Sequence, residues 1–158
     1  MNANRIPRTA PRTGPTSPGW LYRVYRRAMD ALHDKAERVA LENRVIALDE
    51  LEYEVRAEIE EIKGVMFTGS AHAAKQGALQ IRAKGVELDR YRAELAHILT
   101  RKVELSQDAA ANIKLRMRVA ALCEGELKDN EASIQWYRGV LDFDPGHQGA
   151  LSALDRLY

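Results

Sequence analysis

Two carboxylate–histidine pairs are the residues of this sequence that could hold a metal ion. Asp30 and His33 are three residues apart, and so are Glu94 and His97, each pair within a long helix-forming segment. Residues three apart share one face of a helix, and helical di-iron bundles use two Glu-x-x-His motifs together with two further Glu. Here one carboxylate is an Asp and no surrounding pattern supports the pairs, so the sequence predicts no metal site.

The other reactive side chains give equally little support for catalysis. Cys123 is the only cysteine, and it lies on an apolar helix face where packing is the expected role. Residues 142–146 could begin a calcium loop, but its last ligand position would be Ala153 rather than Glu, and a turn is the better interpretation. The sequence contains no glycine-rich phosphate loop, no cysteine pair for zinc and no recognisable Ser/His/Asp arrangement. We therefore predict no catalytic residue, no cofactor and no enzymatic activity.

Composition favours a soluble helical protein. The chain has 158 residues, of which 46% are apolar and 30% are charged, and only five are prolines. No apolar run approaches the roughly 20 residues that a membrane-spanning helix needs. A single cysteine cannot form an internal disulfide and suits a reducing compartment. These features predict an all-α, cytoplasmic protein that does not span a membrane.

Charge is distributed unevenly along the chain. Residues 1–29 contain six arginines and no acidic residue, whereas the remainder has 18 basic and 23 acidic residues. The six are Arg5, Arg8, Arg12, Arg23, Arg26 and Arg27. Residues 1–19 have almost nothing to bury, which predicts a disordered basic tail. Its role is open between a passive leader, a transit peptide and an electrostatic arm for nucleic acid or anionic lipid.

A long apolar stripe predicts a helical arm over residues 20–105. From residue 20 to residue 63 there is no Gly or Pro, and apolar residues recur at spacings of three and four. A seven-residue spacing connects Leu41, Leu48, Val55 and Ile62. Glu52 interrupts a second such series, so the stripe is typical of a helical hairpin or a short, imperfect coiled coil. We expect it to pack against the next helix of the same chain rather than to form a homo-oligomer through residues 20–63.

Aromatic and arginine residues alternate at the start of this arm. Trp20, Tyr22 and Tyr25 lie among Arg23, Arg26 and Arg27. Such a mixture can stack on nucleic-acid bases or lie at a membrane surface. The interpretation favoured by the sequence is that cation–π contacts cap the end of the helical bundle.

The segment 64–70, "GVMFTGS", interrupts the helical pattern, and Ser70 can cap the helix that follows. Beyond it, Gly69, Gly77 and Gly85 are eight residues apart. A glycine inside a helix destabilises it by about 1 kcal/mol relative to alanine, so each one needs a reason. Either close helix–helix approach or a chain break near Gly85 would supply that reason. We expect the segment to fold back antiparallel on the arm.

Residues 106–158 predict three short helices that pack antiparallel. Ser106 or Asp108 can cap the first, and the polar "KDNE" turn separates it from the second. Pro145 marks the next turn because a proline cannot continue a helix. The side chains expected to be buried by the third helix are Leu151, Leu154 and Leu157.

Residues 113–158 carry a spaced set of small and aromatic residues, with Ser133, Tyr137 and Val140 in one helix and Pro145 in the turn after it. This set resembles the tetratricopeptide repeat (TPR), a helix–turn–helix of about 34 residues with small and aromatic residues at fixed positions and a proline near its end. Pro145 takes the place of that proline, Ser133 and Val140 fall on two small positions, and Tyr137 falls on the aromatic one. The preceding helix fits when the turn after it is one residue longer than usual. The match covers one repeat and the first helix of another, whereas arrays usually need three repeats or more.

The resemblance implies protein binding. Members of the family commonly hold an extended peptide or a partner helix in a groove lined by the first helices of their repeats. By position, the groove residues here are Lys114, Met117, Ala121, Glu124, Gly149, Ser152 and Arg156. Because one and a half repeats make a short groove, the alternative is that these residues are only solvated.

The sequence thus predicts an all-α chain in three parts. These are a basic tail (1–19), a long helical hairpin or coiled-coil arm (20–105) and a TPR-like helical unit (106–158). The expected function is a non-enzymatic adaptor, scaffold or assembly component that binds a peptide or helix of a partner protein. The alternative is association with nucleic acid or an anionic membrane through the basic N-terminal segment.

Overall fold

The computed structural model describes the backbone of residues 18–158 and the side chains from Leu21 onward. The described residues form five α-helices and no strand, so the predicted all-α fold is confirmed. The helices are α1 (Pro18–Thr68), α2 (Ala71–Leu105), α3 (Ala109–Leu122), α4 (Asn130–Leu141) and α5 (Gln148–Leu157). Most of the predicted tail, residues 1–17, lies outside the described residues.

The chain divides within α1 into two units, one ending at Glu37 and one beginning at Arg38. The described part of the first unit is a stretch of helix whose side chains are almost all exposed. The second unit contains the rest of α1 together with α2 to α5. All residues of the predicted groove belong to this second unit.

Residues 38–68 of α1 and the whole of α2 form the predicted helical hairpin. Glu42 pairs with Lys102 near the end of α2. Glu58, further along α1, pairs with Lys84 nearer the start of α2 at 2.7 Å. The two helices therefore run antiparallel, with oppositely charged side chains along their shared edge.

The later part of the apolar stripe of α1, from Leu41 onward, packs inside this hairpin. Val45, Leu48 and Val55 are at most 4% exposed. The cluster around Val45 and Leu48 contains Leu95, Ile98 and Leu99 of α2, together with Val119 and Cys123. From Leu41 onward the stripe thus packs within the chain, as the sequence analysis favoured, whereas its earlier residues, such as Leu21 and Leu32, are exposed. A homo-oligomer formed through residues 20–63 stays a prediction.

Glu52, which interrupts the seven-residue series, is satisfied by ion pairs. Its carboxylate accepts a hydrogen bond from Arg56 Nη2 at 2.7 Å and one from Arg92 Nε at 3.3 Å. Arg92 also pairs with Glu126, which follows α3, and its side chain is only 13% exposed. A half-buried carboxylate needs compensating charge, and the two arginines supply it to Glu52. The ion pairs around Glu52 therefore link three helical segments, α1, α2 and the segment that follows α3.

The hairpin turns later in the sequence than expected. α1 continues through Gly64 and ends at Thr68, although the pattern indicated a break from residue 64 onward. Only Gly69 and Ser70 separate it from α2. The Ser70 hydroxyl accepts a hydrogen bond from the backbone N–H of Ala73 at 3.3 Å, so the predicted cap is confirmed.

The two glycines inside α2 differ in their surroundings. Gly77 is buried against α1, and a Cβ placed on it would lie 2.3 Å from Met66 Cγ. Close helix–helix approach is therefore the reason for that glycine. Gly85 has open space around it, and α2 passes through it without interruption. Both explanations offered for Gly85, a close approach and a chain break, are therefore wrong.

Helices α3, α4 and α5 each begin at a side-chain cap. The backbone N–H groups of Ala111, Ala132 and Ala150 donate to the side chains of Asp108, Asp129 and His147, respectively. Of the two caps proposed for α3, Asp108 is the one used. The Ser106 hydroxyl instead donates to the Asp108 carbonyl oxygen at 3.2 Å. Each cap satisfies an N–H group that the first turn of a helix leaves without a partner.

Several small residues lie in the core between α3, α4 and α5. Ala120, Val140 and Ala150 have no exposed surface. The same cluster contains Tyr137, Ala153 and Leu154, with Leu157 packed against it. The prediction that α5 buries Leu151 is wrong, because this side chain is 36% exposed. Alanines face α4 in its place, since only a small side chain lets two helices approach closely.

A five-residue π-helical turn, Cys123–Leu127, extends α3. It ends at Lys128, whose φ of 58° is left-handed, and the N–H of Asp129 donates back to the Cys123 carbonyl at 2.9 Å. A π-turn closes over more residues than an α-turn.

Candidate partner-binding face

Four of the predicted groove residues form two contacts that join α3 and its π-helical turn to α5. The Met117 methyl carbon would be 3.3 Å from a Cβ placed on Gly149, so the two helices are close at this point. Arg156 Nε donates to Glu124 Oε1 at 3.0 Å. The structure thus brings Met117 against Gly149 and Glu124 against Arg156, two contacts that each join residues 32 positions apart in the sequence.

Glu124 is held from two sides. Besides Arg156, it accepts a hydrogen bond from the Tyr137 hydroxyl at 2.9 Å. Burial, reinforced by the hydrogen bond to Glu124 and its charge, raises the pKa of Tyr137 to about 12. Glu124 and Arg156 therefore satisfy each other and place α5 against the π-helical turn, which leaves them little free charge to offer a partner.

Ala121 and Ser152 are exposed, as a groove position requires. Ala121 lies beside an ion pair that sequence reasoning missed, in which Arg118 Nη2 is 2.6 Å from both carboxylate oxygens of Asp49. This pair joins α3 to the second unit's part of α1. It could not be found from the sequence, because the two residues are 69 positions apart and neither belongs to a motif.

Lys114 lies away from the Glu124–Arg156 pair and lines a cleft of about 550 Å³. The cleft is bounded by the Arg38–Glu42 end of the hairpin, by the connection between α2 and α3, and by Ala111 and Leu115 of α3. Lys102 is paired with Glu42 there. Among the described residues, neither Arg38 nor Lys114 has a carboxylate partner. The cleft therefore offers an apolar wall beside two available positive charges.

Arg116 is a second feature that sequence reasoning missed. Its Nε donates to Asn112 Oδ1 at 2.6 Å, and its guanidinium carbon lies 5.8 Å from the ring centre of Trp136 and 5.1 Å from that of Phe143. A Cβ on Gly139 would be 2.5 Å from Arg116 Nη1, so the glycine gives the guanidinium room to cross α4. Cation–π contact satisfies this charge in place of a carboxylate, which makes Arg116 a structural residue between α3 and α4.

The candidate reactive groups of the sequence lie at separate places in the described structure. Within residues 18–158, no group of three or more His, Cys, Asp or Glu side chains could hold a metal ion. Glu94 accepts from Arg44 Nε at 2.8 Å. Burial, with a smaller contribution from the charge of Asp129, raises the pKa of the Cys123 thiol. A thiol with a raised pKa carries little of the reactive thiolate at neutral pH.

The basic residues of the N-terminal segment are only partly described. Arg5, Arg8 and Arg12 lie outside the described residues, whereas Arg23, Arg26 and Arg27 are exposed on α1. The cation–π contacts among the described side chains involve Arg116 and Arg138 rather than these three. None of the helices, over the part of the chain that the structure describes, is both long and apolar enough to cross a membrane.

Comparison with known proteins adds no functional evidence to the contacts described above. No protein-family model matches the chain, and no curated protein or solved structure matches it either. The relation to tetratricopeptide repeats therefore stays a prediction that rests on the residues between 113 and 158.

Proposed function

We propose that this protein is a non-enzymatic interaction module, an adaptor or assembly component that binds a peptide or helix of a partner protein. In this proposal α3 and α4 form one TPR-like repeat, α5 is the first helix of the next, and the hairpin is the neighbour on the other side. The burial of Ser133, Tyr137 and Val140 supports it, because the repeat needs small and aromatic residues at these positions. The π-helical turn supports it too, since it absorbs one additional residue.

The observation that carries the proposal is the cleft beside Lys114. Its volume of about 550 Å³ falls within the range of small-ligand sites, and it is large enough for a few side chains of a peptide. Ala111 and Leu115 offer apolar contact, and Arg38 and Lys114 offer positive charge. A partner segment that carries an apolar side chain next to a carboxylate would complement both.

The remaining exposed groove residues extend this site along α3. A segment seated in the cleft and continuing toward α5 would pass Ala121 and Ser152, both of which are exposed. Glu124 and Arg156 would then position α5 rather than contact the partner, because they are engaged with each other. We place the module in the cytoplasm, where its buried lone cysteine would remain reduced.

A crosslinking pull-down from the native cell tests the proposal. Lys114→Glu should remove a protein partner that the unaltered chain captures, because it reverses a charge at the mouth of the cleft. Lys75→Glu makes the same charge change at an exposed position of α2 and should leave capture unchanged. Ala111→Trp, which fills the cleft without altering charge, should act like Lys114→Glu.

The structure decides which variants are informative. Arg156→Glu would place a second negative charge against Glu124 and disturb α5, so its effect would mix folding with binding. Helicity and the unfolding transition of each variant are therefore measured alongside capture. Equal capture by Lys114→Glu, Ala111→Trp and the unaltered chain would rule out the cleft as the binding site.

A further inference from the structure

The first half of α1 carries an apolar stripe that nothing in the described chain covers. Over residues 21–36 a helix with about 100° of rotation per residue places seven apolar side chains within an arc of about 120°. They are Leu21, Tyr22, Tyr25, Ala28, Met29, Leu32 and Ala36, and all are exposed. Tyr25 is 64% exposed and Leu32 is 61% exposed. An exposed stripe this long is unusual for a helix in water and indicates a surface that becomes covered.

The opposite arc of the same helix is charged. Arg23, Arg26 and Arg27 lie there, with Asp30 and Asp34 following one and two turns later. All three arginines are exposed. Because residues 1–29 contain no acidic residue at all, the N-terminal end of this stretch is the strongly cationic end. The covering surface should therefore be apolar in its interior and negative where the arginines reach it.

We propose that residues 21–36 bind an anionic lipid surface, with the helix lying in the plane of the membrane. The apolar stripe would enter the boundary between headgroups and acyl chains, as amphipathic interfacial helices do. Tyr22 and Tyr25 suit this depth, because a phenol ring places its apolar part in lipid and its hydroxyl in water. The long arginine side chains would extend to lipid phosphates from the other arc.

The separation of the two arcs favours lipid over nucleic acid. A protein that binds single-stranded nucleic acid needs its aromatic rings and its cations on one face, so that bases stack while phosphates are neutralised. Here Tyr25 lies near the middle of the apolar arc, whereas Arg23 and Arg27 lie on the far side of the helix. A bilayer accepts this arrangement because its apolar and anionic layers are at different depths.

Charge also argues against a second copy of the chain running in parallel on this stripe. Such a pair would bring two sets of Arg23, Arg26 and Arg27 to the same end, and like charges at that distance repel. An anionic bilayer instead attracts them, with about 1 kcal/mol for each basic residue near its surface.

Flotation of the full chain with vesicles tests the proposal. Vesicles containing phosphatidylserine should carry the protein, and vesicles of phosphatidylcholine alone should carry far less. Tyr25→Glu combined with Leu32→Glu should weaken the partition about 100-fold, because two side chains lose their apolar contact. The matched control is Leu79→Glu with Val86→Glu, which makes the same charge change at two exposed apolar positions of α2 and should have little effect.

A second pair of variants separates charge from apolar contact. Arg23→Gln with Arg26→Gln should lower binding to phosphatidylserine vesicles about 25-fold, at about fivefold for each arginine. Arg82→Gln with Arg90→Gln removes the same charge from exposed positions of α2 and should change binding little. Lys114→Glu should also bind vesicles normally, so failure of the partner-binding proposal and failure of this one are distinguishable.

Three results would overturn the proposal. The first is the absence of binding to phosphatidylserine vesicles at low salt. The second is binding that persists in the Tyr25→Glu, Leu32→Glu variant, which would make the attraction purely electrostatic. The third is a failure to bind vesicles together with either dimerisation through the stripe or binding of single-stranded nucleic acid. Sedimentation and a gel-shift assay measure these two alternatives.

Discussion

The hairpin of α1 and α2 and the unit of α3 to α5 are both antiparallel, but different kinds of side chain stabilise them. In the hairpin the fully buried residues are large, such as Leu48 and Leu99. In the C-terminal unit they include Ala120, Ser133 and Ala150. The hairpin gains stability from the apolar area it removes from water, whereas the C-terminal unit depends on close approach between helices. The hairpin should therefore be destabilised by the removal of side-chain volume, and the C-terminal unit by its addition.

Removal of a large side chain from the hairpin should have the largest effect. Leu99→Ala is expected to lower the free energy of unfolding by about 2–5 kcal/mol, because it leaves a cavity at a residue with no exposed surface. Leu79→Ala, at a residue of the same helix that is 63% exposed, should change it little. Urea denaturation followed by circular dichroism measures both. Equal losses in the two variants would contradict the account of the hairpin core.

A larger side chain in the core of the C-terminal unit should have the second-largest effect on stability. Ala150→Leu is expected to destabilise the fold by about 1–3 kcal/mol, because three extra carbon atoms must fit where α5 meets α4. Ser152→Leu adds a similar side chain two positions away on the exposed side of α5 and serves as the control. If denaturation midpoints show Ala150→Leu to be as stable as the unaltered chain, close approach is not what holds α5.

Loss of the Tyr137 hydroxyl should have a smaller effect. Tyr137→Phe removes the hydrogen bond to Glu124 and is expected to destabilise the fold by about 1 kcal/mol. The fold raises the pKa of Tyr137 from 10.0 to about 12, so it favours the neutral phenol. That contribution to stability is complete below pH 10 and is lost as the pH rises through about 12.

Alkaline titration of tyrosinate absorbance measures this effect directly. The unaltered chain should show a step near pH 12 that Tyr137→Phe lacks. Tyr53→Phe, at a residue that is 75% exposed, is the control and should keep the step. A difference spectrum with no change near that pH would contradict the buried Tyr137–Glu124 contact.

The smallest effect should be a gain in stability. Ser133 has no exposed surface, and its hydroxyl is the one buried side-chain polar atom without a hydrogen-bond partner among the described residues. Ser133→Ala removes this unsatisfied group without adding volume, and it should stabilise the fold by about 0.5–1 kcal/mol. Ser152→Ala makes the same change at an exposed position of α5 and corrects for helix propensity. A net loss of stability relative to this control would show that the hydroxyl has a partner.

Local sequence patterns predicted which helices form better than they predicted where those helices end. The spacing of three and four residues predicted the hairpin, and the serine at position 70 was correctly identified as a cap. The prediction that the helix ends near Gly64 was wrong because tertiary contacts override the roughly 1 kcal/mol preference against glycine. α1 continues through Gly64 to Thr68, and Ile62 and Met66 on either side of that glycine pack against Gly77 of α2.

The sequence predicted which positions belong to the candidate site, but not which of their side chains contact each other. Correspondence with the repeat placed Glu124 and Arg156 on neighbouring helical segments, and the structure brings these two side chains into contact. Nothing in the sequence indicated that Glu124 and Arg156 neutralise each other while Lys114 remains available. Such pairings join residues far apart in the chain, and their partners depend on how the helices are placed against one another.

The sequence by itself determined the helical class, the helix cap at Ser70 and the uneven charge between the N-terminal segment and the rest, because each depends on neighbouring residues alone. Tertiary structure decided which apolar face of each helix is buried. Leu151 is exposed while Ala150 is buried, and Glu52 lies in an apolar seam because Arg92 reaches it. These outcomes depend on volume and charge contributed by other helices, which no local pattern contains.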